Sequence, residues 1–263
     1  MARRNHDDEN LNRDFERDLA NLRLLEIAKV YREVLDEAAR KGSSPLEVLR
    51  LLIGVEAAAR QQRALARRIR EARLPKMKTL ADYDFNFPKR IPKTVILRLF
   101  DCDFIQQNGC AVMIGATGTG KTHLLTALGY AACEKGHSVR FVRVVDMINH
   151  LTTAQINGTL GKVIGAYVRP SLLLLDELGY LPIDKRGADL LFQVVAARYE
   201  SGSIVLTTNR AFKDWGTVFD VDNTLATALI DRLMHHGEAI VIQGRSFRMR
   251  DKDSNPEPDS PNE

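Results

Sequence analysis

One octapeptide constrains this chain more than any other feature. Gly115-Ala116-Thr117-Gly118-Thr119-Gly120-Lys121-Thr122 fits the pattern GxxxxGK[ST]. Its glycines let the backbone turn with N–H groups aimed inward and leave room for phosphate oxygens. An apolar run, Cys110 to Ile114, leads in, and a helical pattern with Leu124, Leu125 and Leu128 leads out. A helix starting near Gly120 would add the positive end of its dipole to the loop. Lys121 supplies a compact charge at the β/γ-phosphates, and Thr122 offers a hydroxyl to Mg²⁺. The octapeptide, with His123 following it, therefore marks a site for ATP and Mg²⁺. Gly115, Thr117, Gly118, Thr119, Gly120, Lys121, Thr122 and His123 are its expected lining.

The chain after Cys110 alternates short apolar runs with helical patterns. The runs are 110–114, 139–144, 171–175, 204–207 and 239–242. Continuous apolar strands separated by helices predict an α/β fold with a five-stranded parallel sheet covered on both faces. The run Ser171 to Leu175 ends in Asp176 and Glu177. Acids at the carboxyl edge of such a sheet lie where ligands bind. Asp176 is placed to hold Mg²⁺, and Glu177 to orient and deprotonate the water that attacks the γ-phosphate. An acid supplied for water favours hydrolysis over phosphate transfer to a small metabolite. Asn209, after the run Ile204 to Thr207, is placed to hydrogen-bond that water or the γ-phosphate.

The first part of the chain reads differently. Residues 1–10 are polar and expected to be disordered, and residues 11–78 form a small helical domain. Gly42, Ser44 and Pro45 break the helical pattern, as C-cap, N-cap and first helical residue. Residues 79–250 form the nucleotide-binding domain, and residues 251–263 a disordered acidic, proline-rich tail. Between Arg60 and Lys78, eight cationic residues face only one acid, Glu71. Arg60, Arg63, Arg67 and Arg70 recur at helical spacings of three and four, with Arg73 beyond them. They suit phosphate contacts without sequence readout, or an acidic patch on a partner protein. Arg140, Arg143, Lys162 and Arg169 are further candidates for a DNA path.

The bulk numbers exclude several classes. No apolar run approaches the ~20 residues needed to cross a bilayer. The N-terminus carries no apolar signal core. Three cysteines, Cys102, Cys110 and Cys133, match no metal spacing and read as reduced thiols of a cytoplasmic protein.

The chain also resembles the IstB-like transposition ATPases, AAA+ relatives of the DnaC helicase loaders. The resemblance rests on GATGTGKTHL at 115–124, LLLLDELGYLP at 172–182, FQVVAARYE at 192–200, LTTN at 206–209 and LIDRLMHHGEAIVIQGRSFR at 229–248, with ADYDF at 81–85. It implies an AAA+ P-loop ATPase core behind a small N-terminal helical domain. It implies a helper that binds ATP, self-assembles into a homo-oligomer on duplex DNA, and prepares target DNA for a partner transposase. It assigns Asn209 as a first sensor, Arg232 as a finger offered to a neighbouring subunit, and Arg248 as a second sensor. Arg210 and Arg245 remain rivals for the two arginine roles. A replicative helicase loader shares nearly all these residues. A P-loop kinase and a non-catalytic ATP-binding DNA scaffold are rivals of other classes.

Overall fold

Why a chain with so many arginines near its start still folds there is answered by its acids. The computed structural model describes residues 2–87, 89–220 and 222–247. It divides into two units, at Arg67/Arg68. In the first, helix α1 (Ala2–Asn21) and helix α2 (Leu25–Lys41) precede helix α3 (Pro45–Ala72), which continues past the division. Leu19, Ile27, Tyr31 and Leu52 form its small core. Glu56 is also buried, only 3 % exposed. It accepts the backbone N–H groups of Glu26 (2.8 Å) and Ile27 (3.4 Å), and both Arg60 (3.3 Å) and Arg63 (2.9 Å). Burial alone would raise the pKa of its carboxyl, but these donors together hold it below the usual glutamate value.

The break at residues 42–45 is built as expected. Gly42 caps α2 in the left-handed region at φ 66°, and Ser44 and Glu47 form a reciprocal capping box. A second break, between α1 and α2, carries no glycine or proline to announce it; Arg23 turns the chain at φ 55°. Residues 2–10, expected to be disordered, belong to α1. The division at Arg67/Arg68 is also earlier than the expected boundary at residue 78. Arg68 Nε donates to the Cys133 carbonyl (2.9 Å), and Leu74 packs against Gly129, so residues 68–78 belong with the sheet. The acidic tail, residues 251–263, lies outside the described residues.

After the end of α3, the second unit continues with helix α4 (Lys93–Phe100), strand β1 (Cys110–Gly115) and helix α5 (Lys121–Glu134). Strand β2 (Val139–Arg143), helices α6 (Val144–Ile156) and α7 (Leu160–Val168), and strand β3 (Leu172–Leu178) follow. Helix α8 (Lys185–Arg198), strand β4 (Ser203–Thr208), helices α9 (Trp215–Val218) and α10 (Asn223–Met234), and strand β5 (Gly237–Ile242) complete it. The five strands form one parallel sheet in the order β2-β3-β4-β1-β5, as the apolar runs predict. Leu172 to Leu175 are fully buried because helices cover both faces. The order matters for the site. β4 lies between β1, which feeds the glycine loop, and β3, which ends in the acids.

Candidate functional site

The glycine loop leaves β1 and enters α5 through residues in the left-handed region. Gly118 stands at φ 83° and Gly120 at φ 89°. A Cβ on Gly120 would also meet the Tyr83 ring at 2.5 Å, so glycine is required there twice over. No side chain caps the start of α5, which leaves its first N–H groups for an anion. Lys121 folds back on the loop, donating to the carbonyls of Gly115 (2.7 Å) and Ala116 (2.9 Å). Burial lowers its pKa, while Asp176 and Glu177 act to raise it. A phosphate at the loop would give this ammonium an anionic partner at hydrogen-bond distance.

Asp176 is 2 % exposed at the end of β3. Its Oδ1 accepts from Thr122 Oγ1 at 3.1 Å and, by a short bond, from Thr207 Oγ1 on the intervening β4. A hydroxyl and a carboxylate side by side are two hard oxygen donors, the set that Mg²⁺ takes while keeping waters. The residues present thus fit the expected metal. Glu177 takes a different course. The register of β3 against β4 shifts between Leu175 and Leu178, and Glu177 adopts φ 64°. Its backbone N–H is held by Thr207 Oγ1 at 2.9 Å, and the residue is exposed in the cleft. A non-glycine residue in this region is strained by roughly 1–3 kcal/mol, a strain that clusters at functional positions. Thr207 therefore serves both acids, with its hydroxyl donated to one and accepting from the backbone of the other.

These groups open on a cleft of about 530 Å³, within the size range of small-molecule sites. Thr117 to His123, Glu177 and Asn209 all line it. Its far wall is the segment preceding α4, to which no nucleotide-binding motif assigns a role. Tyr83 donates to the Thr119 carbonyl (3.1 Å) and packs edge-on against His123 (5.5 Å). Burial pushes the Tyr83 phenol up to about 12, so it remains a donor. His123 donates through Nε2 to the Thr79 carbonyl (2.9 Å), so it fixes the wall and is not free for ligand at that atom. Phe87 packs on Phe247, and the Phe247 N–H donates to the Gly118 carbonyl (2.9 Å). The signal in the sequence was the aromatic pair Tyr83 and Phe85 among acids and prolines, unusual for a solvated linker.

The remaining candidates divide. Arg232 is far from its own phosphate loop. It sits in the last turn of α10, level with the start of β1, where Cys110 pairs with Gly237. Six residues of strand, roughly 20 Å, separate that edge from the glycine loop. Its guanidinium lies over the Phe192 ring (4.6 Å) and donates to the Ala228 carbonyl (3.0 Å). Arg210 follows Asn209 in the loop after β4, and Arg248 lies outside the described residues. Of the arginines expected on DNA, Arg67, Arg70 and Arg73 are exposed. Arg60 and Arg63 are engaged by Glu56 and Glu26, and Arg60 also reaches the Leu22 and Arg23 carbonyls (3.4 Å). Both acids lie outside residues 60–78, so the charge balance of that stretch could not reveal them.

Comparison with known proteins places this geometry. A family model described as IstB-like ATP binding protein matches residues 17–255. The ATP-binding protein of insertion sequence IS21 from Pseudomonas aeruginosa is 36 % identical over 234 residues, 89 % of this chain and 88 % of that protein. Its counterpart in insertion sequence IS232 from Bacillus thuringiensis is 36 % identical over 233 residues, 89 % of this chain and 93 % of that one. Among solved structures, the DnaC helicase loader superposes with TM-score 0.51 at 22 % identity, over 63 % of this chain and 96 % of the loader. AMPPCP-bound DnaA from Aquifex aeolicus superposes with TM-score 0.55 at 22 % identity, over 69 % of this chain. This chain spans 55 % of that DnaA chain. The fold is thus shared with the DnaC helicase loader and with nucleotide-bound DnaA.

Proposed function

This chain belongs to the family of IstB-like ATP-binding proteins, and we propose that it hydrolyses ATP to control its own assembly on duplex DNA for a partner transposase. The observation that carries hydrolysis is the division of labour between adjacent acids. Asp176 is buried against Thr122, where a metal on the β/γ-phosphates would sit. Glu177 is turned by its left-handed backbone into the open cleft, where the attacking water would lie. Lys121 offsets phosphate charge, and Asn209 on the cleft wall orients the γ-phosphate or the water. A static ATP scaffold has no use for the strained, exposed Glu177.

Self-assembly is supported by the position of Arg232. A cation at the sheet edge opposite its own loop is useless in cis and available in trans. The exposed apolar side chains of Leu46 (75 %), Leu49 (55 %) and Ile53 (61 %) on α3 also provide a surface for a protein partner. DNA contact falls to Arg67, Arg70 and Arg73, the three expected arginines without a carboxylate at ion-pair distance among the described residues.

Subunit mixing tests the trans site. Glu177→Gln subunits keep the arginine but have an inert site; Arg232→Ala subunits have an intact site but lack the arginine. Turnover of the co-assembled mixture above that of either variant alone is expected. A mixture as inactive as its parts, with co-assembly demonstrated, would remove Arg232 from the trans role and make Arg210 the next residue to test. Imaging with duplex DNA and either ATP or ADP tests the assembly itself, which should form with ATP and be lost with ADP.

A further inference from the structure

Two of the segments that mark the family, Phe192–Glu200 and Leu229–Arg248, contain residues that the ATP site does not use. They meet at the amino edge of the sheet. Arg198 explains part of the first segment. Its buried guanidinium donates to the carbonyls of Tyr167, Val168, Pro170, Ser171 and Ser203, at 2.7–3.0 Å, and so fixes the end of α8. The next two residues, Tyr199 and Glu200, project from that fixed point toward the end of α10. There the rings of His235 and His236 lie 4.3 Å apart, tilted by 30°. Among the described residues, one group of His, Cys, Asp and Glu side chains brings three possible ligand atoms within 4.8 Å of one another, and it is Glu200, His235 and His236.

We infer that Glu200, His235 and His236 form a binding site for a divalent first-row transition metal of the zinc class. Glu200 Oε1 and His236 Nε2 stand 3.9 Å apart. Ligands each about 2.0–2.2 Å from a zinc ion lie roughly 3.4 Å apart in tetrahedral geometry, so a shift of about half an ångström closes this pair. All three side chains are exposed and can make that shift. The backbone beneath them is held. Glu200 adopts φ 57°, and its carbonyl accepts from Asn108 Nδ2 at 2.8 Å. The His235 ring is oriented through its Nδ1, which is hydrogen-bonded to the Tyr199 hydroxyl, and outer hydrogen bonds of this kind orient metal-binding imidazoles. Two imidazoles and one carboxylate suit zinc and its neighbours; Mg²⁺ and Ca²⁺ prefer all-oxygen sites. Three protein ligands leave a fourth position for water or another group. A bound ion would tie the α8–β4 loop to the α10–β5 junction, on either side of Arg232.

The test is a titration of the nucleotide-free, full-length protein with Zn²⁺ against a chromophoric chelator. The expected result is one equivalent of Zn²⁺, undisturbed by millimolar Mg²⁺, whose affinity falls at least tenfold in His236→Ala and in Glu200→Gln. Tyr199→Phe should weaken it by about tenfold, the scale of an outer partner. Zn²⁺ should also raise the melting temperature of the unmodified protein and not that of His236→Ala. Circular dichroism checks that each variant is folded. Unchanged affinity and stoichiometry in the His235→Ala/His236→Ala double variant would overturn the site, as would the absence of Zn²⁺ binding to the unmodified protein. Neither outcome depends on ATP turnover, so the proposed ATPase function stands or falls separately.

Discussion

The two units each bury a carboxylate, and they treat it in opposite ways. Glu56 in the helical unit is surrounded by two backbone N–H groups and two guanidinium groups. Asp176 in the sheet unit accepts from two neutral hydroxyls, those of Thr122 and Thr207. A buried charge is costly unless it is paired. Glu56 is paired within the fold, so its interactions tie the start of α2 to α3. Asp176 has no cation at ion-pair distance among the described residues and feels Lys121 only at longer range, the arrangement on which the proposed metal role rests. The same residue class is structural in one unit and, on the function proposed above, poised for a metal in the other, and the partners decide which.

If this contrast is right, the largest effects on turnover belong to the sheet unit. Glu177→Gln should lower ATP turnover by about 10²–10⁴-fold, the usual worth of a general base, while nucleotide affinity is retained. A steady-state assay with a nucleotide titration reads both, and near-normal turnover would remove Glu177 as the base. Lys121→Ala should instead weaken nucleotide binding itself, because the ammonium now resting on the Gly115 and Ala116 carbonyls is the loop's own charge for phosphate.

DNA binding sharpens the contrast within the arginines. Replacing Arg67, Arg70 and Arg73 by Gln should reduce the slope of log affinity against log salt by about 0.9 for each phosphate no longer neutralised. Replacing Arg60 and Arg63 should change the slope less and the stability of the helical unit more, since both are bound to Glu56. Filter binding across a salt series, with thermal melts of the same variants, separates the two groups. An equal reduction of slope by both sets would break the distinction between arginines held by Glu56 and arginines left for phosphate.

The smallest effect is expected with pH. The native pKa of Glu56 is held below the ordinary value of 4.5. A depressed carboxylate contributes stability that is fully present above its unfolded value and lost as pH falls through its native one. The helical unit should therefore loosen in acid, below pH 4.5, and Glu56→Gln should remove that part of the pH dependence. Helical circular dichroism followed from neutral to acid pH measures it. The same loss of helix in Glu56→Gln would assign the acid sensitivity to other groups.

Much of the sheet unit was legible in the chain. Leu172 to Leu175 could be buried on both sides only as a central strand, and GxxxxGK[ST] admits few backbone paths. All five strands lie where the apolar runs placed them, within a few residues. The helical unit was less legible. Leu22 and Leu25 keep a helical spacing of three across the turn at Arg23, so the apolar pattern does not mark that break. The far wall of the cleft was also hidden, because Tyr83 meets Thr119 only once the segment before α4 folds back across 36 residues.

What the sequence determined alone was the chemistry available: a phosphate loop, a hydroxyl and two acids at strand ends, and a run of arginines. These follow from residue type and local spacing, and local backbone physics suffices to read them. The tertiary structure decided how each charge is used. It set Asp176 between two threonines, turned Glu177 outward at a register shift, and placed Arg232 at the wrong edge of the sheet for its own loop. It also gave Arg60 and Arg63 to Glu56 and Glu26. Partners such as these lie up to 54 residues apart in the chain, as Thr122 and Asp176 do. Electrostatic energy depends on distance in space and on burial, and neither is written in the order of the residues.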